Sequence, residues 1–164
     1  MIRAFVVAVA CVCAAVPARA AVVEAVDLPT LCRDATRIVH GVVVGEASAW
    51  RDGIIVTRVT VAVRRALKGP AARTLVVSRL GGVVDGIGQV APGEAELAPG
   101  EEIVLFVEPV LGELRVVGMA QGVFHVADGR AAQRLAGLTL VGAKARERTY
   151  TLRALLAAIA REAR

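Results

Sequence analysis

The chain has 164 residues, a formal net charge of +5 and 56% hydrophobic residues. This length suits a single domain, and so mild a charge does not by itself indicate a nucleic-acid-binding protein. Aromatic residues make up only 3% of the chain, too few for the stacking platform that binds single-stranded nucleic acid. We therefore expect no nucleic acid among its partners.

The first twenty residues have the pattern of an export signal. The positive head Met1-Ile2-Arg3 precedes an apolar run over residues 4–16, and Ala18 and Ala20 form the A-x-A pattern at which a signal peptidase cuts. The run is 13 residues long, whereas a bilayer span needs roughly 20. A cleaved signal is therefore favoured over a membrane anchor, and over a lipoprotein signal ending at Cys11. We expect an exported protein, periplasmic or extracellular, without a membrane span after cleavage.

Cleavage after Ala20 would leave residues 21–164 as one β-barrel-like domain with a single cysteine. Cys11 and Cys13 would be lost with the signal, and Cys32 would remain. An intramolecular disulfide is then impossible, so the core alone has to stabilise the fold.

The mature chain begins with a predicted short helix that ends near Arg37. Asp27 can cap this helix, and Pro29 suits its first turn. Leu28, Leu31, Cys32 and Ala35 follow helical spacing. We therefore predict a buried structural thiol at Cys32.

The central part of the chain predicts strands. In chain order they cover residues 38–44, 54–67, 74–78, 101–107, 114–118 and 123–126, with the last of these as the final strand. Asp52-Gly53 is a hairpin signal. Helical crossovers, which parallel strands require, are absent from the pattern, so an antiparallel meander is expected.

The C-terminal segment returns to helical spacing. An amphipathic helix is predicted over about residues 149–163, capped by Thr149 or Thr151. All the elements together predict a mainly β fold: a small antiparallel, OB-like β-barrel with a short N-terminal helix and a C-terminal helix.

Side chains that could carry catalysis or hold a metal are few and scattered. His40 and His125 lie in strand-like runs without a recognised metal-ligand spacing. Ser48 and Ser78 lack the nucleophile elbow of serine hydrolases. Cys32 paired with a histidine is a weak candidate nucleophile. We therefore expect no catalytic residues, no metal and no cofactor.

A glycine-rich loop runs from Gly81 to Gly100 and holds six of the sixteen glycines. Its spacing does not match a phosphate-binding loop, and turn glycines that join strands are the better interpretation. A loop this long is often functional. The candidate partner-binding residues on and beside it are Arg79, Asp85, Gln89, Glu94 and Glu96. For Glu94, Glu96, Glu101 and Glu102 together, a solvated charged edge is favoured over a cation site.

Five segments, at residues 35–43, 55–61, 66–69, 100–107 and 118–124, are together similar to a group of uncharacterised exported bacterial proteins. A helix leading into I-V-H-G-V-V-V, a long strand ending in L-K-G and a following hairpin also distantly resemble the N-terminal OB-type barrel of tissue inhibitors of metalloproteinases. That resemblance implies the barrel alone. The family's N-terminal cysteine, which meets the protease zinc, is replaced by Ala21 at the predicted mature start, and the disulfides that fix that N-terminus are missing.

We therefore favour an exported, non-enzymatic binding module for a protein or cell-envelope partner. Two alternatives remain: an inhibitor or accessory partner of an exported protease, and an enzyme that uses Cys32.

Overall fold

The computed structural model describes residues 20–142 and 146–163. The predicted signal up to Arg19, including Ala18, lies outside these residues, whereas Ala20 lies within them. The strands are β1 Ala21–Glu24, β2 Arg37–Arg51, β3 Ile54–Lys68, β4 Thr74–Leu80, β5 Gly82–Val84, β6 Ile87–Gln89, β7 Glu102–Val110, β8 Glu113–Val116, β9 Val123–Ala127, β10 Arg130–Ala132, β11 Leu138–Val141 and β12 Thr149–Thr151. The helices are α1 Leu28–Asp34, α2 Leu152–Glu162 and a 3-10 turn at Met119–Gly122. Strands make up 53% and helices 16%, which confirms the mainly β prediction.

One large antiparallel sheet organises the described residues. Its strands follow the order β12-β10-β9-β7-β2-β3-β4, and β8 pairs with the second half of β7. The sheets do not close into a barrel, since no ladder joins β4 to the other end of this order. The predicted meander is therefore present only in part, in β2, β3 and β4, because β7 returns to pair with β2 and the chain crosses over after β4.

Strand β7 lies in the middle of the sheet and separates two cores. Ile103 and Leu105 face one core, which is built from strands and from the segment around Leu97. Val104 and Phe106 face the other, which contains both helices. A strand that is covered on both faces needs a continuous apolar run instead of alternation, and the sequence from Ile103 to Val107 meets that need.

The two predicted helices are present with the expected caps. The Asp27 carboxylate accepts a hydrogen bond from the Thr30 backbone N–H, and the Thr151 hydroxyl accepts one from that of Ala154. Cys32 is fully buried between the helices and the sheet, and the inner face of α2 buries Leu155 and Ile159. Since the α2 cap is Thr151, the helix begins slightly later than predicted.

The hairpin β2–β3 is longer than expected, because β2 continues to Arg51 instead of ending near residue 44. Asp52 and Gly53 turn the chain with φ of 48° and 80°, the conformation that two-residue hairpins prefer. At Gly41 a Cβ atom would meet the backbone of Ala62, so the close approach of the two strands requires glycine at this position.

Two predictions about the chain ends are wrong. β9 is not the last strand, because β10 and β12 extend the same sheet beyond it. The fold is also not purely antiparallel, since β1 and β11 pair in parallel, with Ala21 opposite Leu138. Three- and four-residue strands in a mixed sequence carry too little periodicity to be recognised in advance.

Candidate functional site

A cleft of about 430 Å³ lies beside the predicted functional loop. Its lining residues come from the end of β4, from β5 and β6, from the segment that follows β6, and from the turn before β11. They are Arg79, Leu80, Gly82, Val83, Gly88, Gln89, Val90, Ala91, Pro92, Gly93, Glu94, Ala95, Glu96, Ala136 and Gly137. Four of the five residues predicted from the sequence are therefore brought together, and only Asp85 is not among them.

One side of the cleft is a small β-hairpin, where the sequence indicated only a loop. Asp85 and Gly86 form its turn with φ of 51° and 77°. The turn places Val84 opposite Ile87 and Val83 opposite Gly88. The interpretation of these glycines as strand-joining turns is therefore confirmed, and Asp85 lies at the exposed tip of the hairpin.

The base of the hairpin is tied to the end of the large sheet. The Ile55 carbonyl accepts a hydrogen bond of 2.7 Å from the Gly81 N–H. The Ile55 N–H donates one of 2.5 Å to Gln89 Oε1. The Thr57 hydroxyl donates to the Gly81 carbonyl at 2.6 Å. Gln89 is thus a positioning residue for the hairpin as well as part of the cleft lining.

Apolar side chains project into solvent around this hairpin. The exposed fractions are 65% for Val83, 55% for Ile87 and 88% for Val90. Val83 and Val90 both line the cleft, whereas Ile87 lies opposite Val84 and therefore faces the other side of the hairpin.

Charged side chains of the cleft differ in how they are paired. Arg79 Nη2 lies 3.0 Å from Glu46 Oε2, while the Nε of Arg79 is buried without a hydrogen-bond partner among the described residues. Glu94 binds Arg115 at 2.5 Å. Glu96 is exposed, and it forms no ion pair within the part of the chain that the structure describes. One carboxylate therefore remains available to a partner.

The opposite side of the cleft was missed by sequence reasoning. Gly137 approaches Gly93 closely, and the Gly93 carbonyl accepts a hydrogen bond from the Ala120 N–H. Ala136 and Gly137 lie about forty positions beyond the predicted loop in a stretch without periodic pattern, so no local signal identifies them. The Asp85-Gly86 turn, in contrast, carries the hairpin signal already recognised at Asp52-Gly53.

Contrary to the prediction of a solvated charged edge, the acidic residues that follow the loop are held in pairs. Glu101 lies 2.6 Å from Arg134 and 3.5 Å from His125 Nδ1, and Glu102 lies 2.7 Å from His40. The physical reason is that strand alternation sends Glu101 and Glu102 to opposite faces, where Glu101 meets Arg134 and Glu102 meets Arg64.

The pKa values of this group follow from burial and pairing. Burial alone raises the pKa of Glu101, but hydrogen bonds from the Ala98 N–H and from Arg134 outweigh it and lower that pKa. For His125, burial and the nearby Arg134 lower the pKa, against the opposing effects of Glu101 and Glu96. The neutral imidazole is therefore the form that the folded protein favours.

Cys32 does not have the surroundings of a nucleophile. Burial, together with Glu162, raises the pKa of its thiol to about 11, and reactive cysteines need the thiolate. The described cation beside it is Lys68, whose Nζ donates to the Cys32 carbonyl at 2.6 Å. These surroundings favour the predicted structural role.

Three further observations bear on the other classes of site and on membrane insertion. Phe106 and Phe124 are fully buried, with ring centroids 6.0 Å apart, so both belong to the core. Among the residues described, no group of three or more His, Cys, Asp or Glu side chains could hold a metal ion. No helix in the same residues is long and apolar enough to cross a membrane.

Comparison with known proteins returns no matching family model, no matching curated protein and no matching solved structure.

Proposed function

We propose that the chain is an exported, non-enzymatic binding module whose working surface is the cleft beside β5 and β6. The observation that carries this proposal is the convergence of Arg79, Gln89, Glu94 and Glu96 on one cleft. Concave sites with an apolar lining and a few polar groups are the usual form of binding sites. The surface is also built from short connecting segments on a rigid sheet, where recognition residues are commonly found.

The partner class that fits this surface best is a protein. Val83 and Val90 expose apolar area in the cleft, and the charges that line it are few. A protein partner would bury the apolar side chains and leave polar groups at the rim, as most interfaces do. An envelope component remains within the proposal as long as it presents a similar apolar segment.

For the scaffold we propose an OB-like barrel that is open along one seam. Strands β4, β3, β2, β7 and β8 follow one another through hydrogen-bonded pairs. The outer members, β4 and β8, contact each other without a ladder. Five strands in a partly open ring would match the proposed architecture.

The binding proposal can be tested with a variant that fills the cleft and leaves the fold intact. A Cβ at Gly88 would lie 4.0 Å from its nearest neighbour, Val83, and a branched residue suits a strand. We therefore expect Gly88→Val to fold normally and to lose at least tenfold in capture of envelope or secreted proteins from the source cells.

The matched control is Gly45→Val, because a Cβ at Gly45 has no neighbour within 4 Å and Gly45 does not line the cleft. Equal capture by wild-type protein and Gly88→Val would overturn the proposed site. If the captured partner is a protease, its activity with and without the module distinguishes an inhibitor from an accessory partner.

The export proposal rests on the N-terminal pattern and has its own test. Production of the full chain in a bacterial host should yield a protein that begins at Ala21 outside the cytoplasm. Ala20→Phe should block processing, because the peptidase accepts only small residues at this position, whereas Ala10→Phe should be processed normally. A wild-type chain that keeps Met1 would contradict the proposal.

A further inference from the structure

We infer that the cleft receives an extended peptide segment of the partner, which adds as a third strand to the free edge of β6. This inference rests on the proposed function and specifies its ligand: a linear peptide instead of a folded surface. Strand addition to an exposed sheet edge is an established mode of peptide recognition, in which main-chain hydrogen bonds provide much of the affinity.

The register of the hairpin leaves backbone groups unpaired at Gly88. A two-residue turn makes the flanking residues, Val84 and Ile87, a hydrogen-bonded pair. Pairs alternate along an antiparallel ladder, so Val83 and Gly88 form the next, non-hydrogen-bonded pair. The N–H and C=O of Gly88 therefore point away from β5, toward the edge of the hairpin.

The outer edge of β6 is open. The sheet of β5 and β6 has no further strand among the described residues, and β5 itself contacts β2 and β3. Strand β4 ends the large sheet but lies against β8. Strand β12 ends it on the other side and passes directly into α2. Among the described residues, β1 and β11 also form a two-stranded sheet with unpaired outer edges, but β6 itself lines the cleft, through Gly88 and Gln89.

The face of β6 at Gly88 is open to the cleft because Gly88 has no side chain. Gly88 is exposed and lines the cleft together with Val83 and Val90. The cleft volume of about 430 Å³ lies in the range of about 300–1,000 Å³ typical of small-ligand sites, which suits a few residues of an extended chain. Glycine at a strand position often marks such a close approach of another backbone.

The side chains around this edge specify the chemistry of the peptide. Val83 and Val90, exposed at 65% and 88%, would cover an apolar side chain. The exposed carboxylate of Glu96 has no ion-pair partner in the described residues, so it selects a Lys or Arg nearby. The expected ligand is an extended segment with an apolar and a basic residue.

The test uses the full chain and a displayed library of random octapeptides. We expect selected peptides to share an apolar residue and a basic residue. Gly88→Val should weaken their binding at least tenfold, while Gly45→Val should leave it unchanged. Glu96→Gln should weaken binding of the basic peptides about threefold to tenfold, in a manner that high salt reduces.

Methylation of single peptide nitrogens provides the decisive measurement. In an added strand only every second N–H faces β6, so methylation should weaken binding about threefold to tenfold at alternate positions. Equal effects at all positions, or none, would overturn strand addition. If no peptide is selected while capture of a protein partner still depends on Gly88, the inference fails and the proposed function stands. If that capture is also independent of Gly88, both fail.

Discussion

Gln121 shows how a single buried polar residue holds separate parts of the fold together. It is 2% exposed, and its side chain accepts a hydrogen bond from the Val26 N–H at 2.8 Å and donates one to the Glu24 carbonyl at 3.0 Å. Gln121 thereby attaches the segment after β1 to the 3-10 turn.

Replacement of Gln121 by an apolar residue of similar size should therefore be costly. Gln121→Met leaves the Val26 N–H and the Glu24 carbonyl without their partner, and we expect a loss of about 2 kcal/mol in the free energy of unfolding. Gln89→Met removes a single bond, to the Ile55 N–H, and should lose about 1 kcal/mol. Urea unfolding measures both, and equal losses would contradict the role given to Gln121.

His125 makes stability depend on pH. Its pKa is lowered in the folded state, so the unfolded chain binds the proton more readily. The stability is complete above the unfolded pKa of about 6.5 and falls as the pH drops below it toward the folded pKa. Glu101 and Glu102 also have lowered pKa values. They change the stability at a lower pH than His125 does, because their unfolded pKa is about 4.3.

We expect His125→Gln to flatten the pH dependence of the unfolding free energy just below pH 6.5. Val123→Ala, a neighbouring buried truncation, lowers stability without removing a titrating group and should keep the slope. Urea titrations at a series of pH values provide the comparison. A slope that persists in His125→Gln would contradict the assignment.

At the scale of elements, the hairpin of β5 and β6 depends on glycines for two different reasons. Gly86 has φ of 77° with open space around it, whereas Gly82 has φ of 136° and a Cβ there would collide with the hydroxyls of Ser48 and Thr57. Gly86 therefore avoids only backbone strain, whereas Gly82 avoids both backbone strain and a collision with the two hydroxyls.

Alanine at these two positions should separate the two contributions. Gly86→Ala should cost about 1 kcal/mol, and Gly82→Ala about 3 kcal/mol, because a side-chain collision adds to the strain. Gly82→Ala should also displace the hairpin and weaken partner capture. Thermal unfolding and the capture assay give the two readouts, and similar losses for both variants would show that the collision is relieved at little cost.

Some elements can be predicted from the sequence and others cannot. The apolar positions of α1, the alternation in β3 and the continuous run in β7 each identify an element because many side chains meet the same environment. β1, β10, β11 and β12 have three or four residues each, and β1, β11 and β12 pair with strands that are distant in the sequence. Four cleft residues were predicted from the sequence of one loop and its flank. Ala136 and Gly137 can be assigned to the cleft only from the three-dimensional fold.

At the scale of the whole molecule, two cores on either side of β7 stabilise the chain without a disulfide among the described residues. Cys32 reports on the integrity of the helical core, because it is fully buried and the pKa of its thiol is raised to about 11.

A thiol reagent at neutral pH should therefore modify Cys32 only when the protein opens. Labelling should be slow in buffer and should accelerate steeply as urea approaches the unfolding midpoint. Peptide mapping distinguishes Cys32 from Cys11 and Cys13, and free cysteine sets the unprotected rate. Labelling of Cys32 in buffer at that rate would contradict its burial.

The parallel pairing of β1 with β11 has a consequence for when the protein can fold. Ala21 finds its partner at Leu138, so nearly the entire chain has to emerge from the ribosome before β1 can be paired. Contacts between such distant positions form slowly because a large loop has to close first. The pairing of β1 with β11 should therefore be among the last contacts to form.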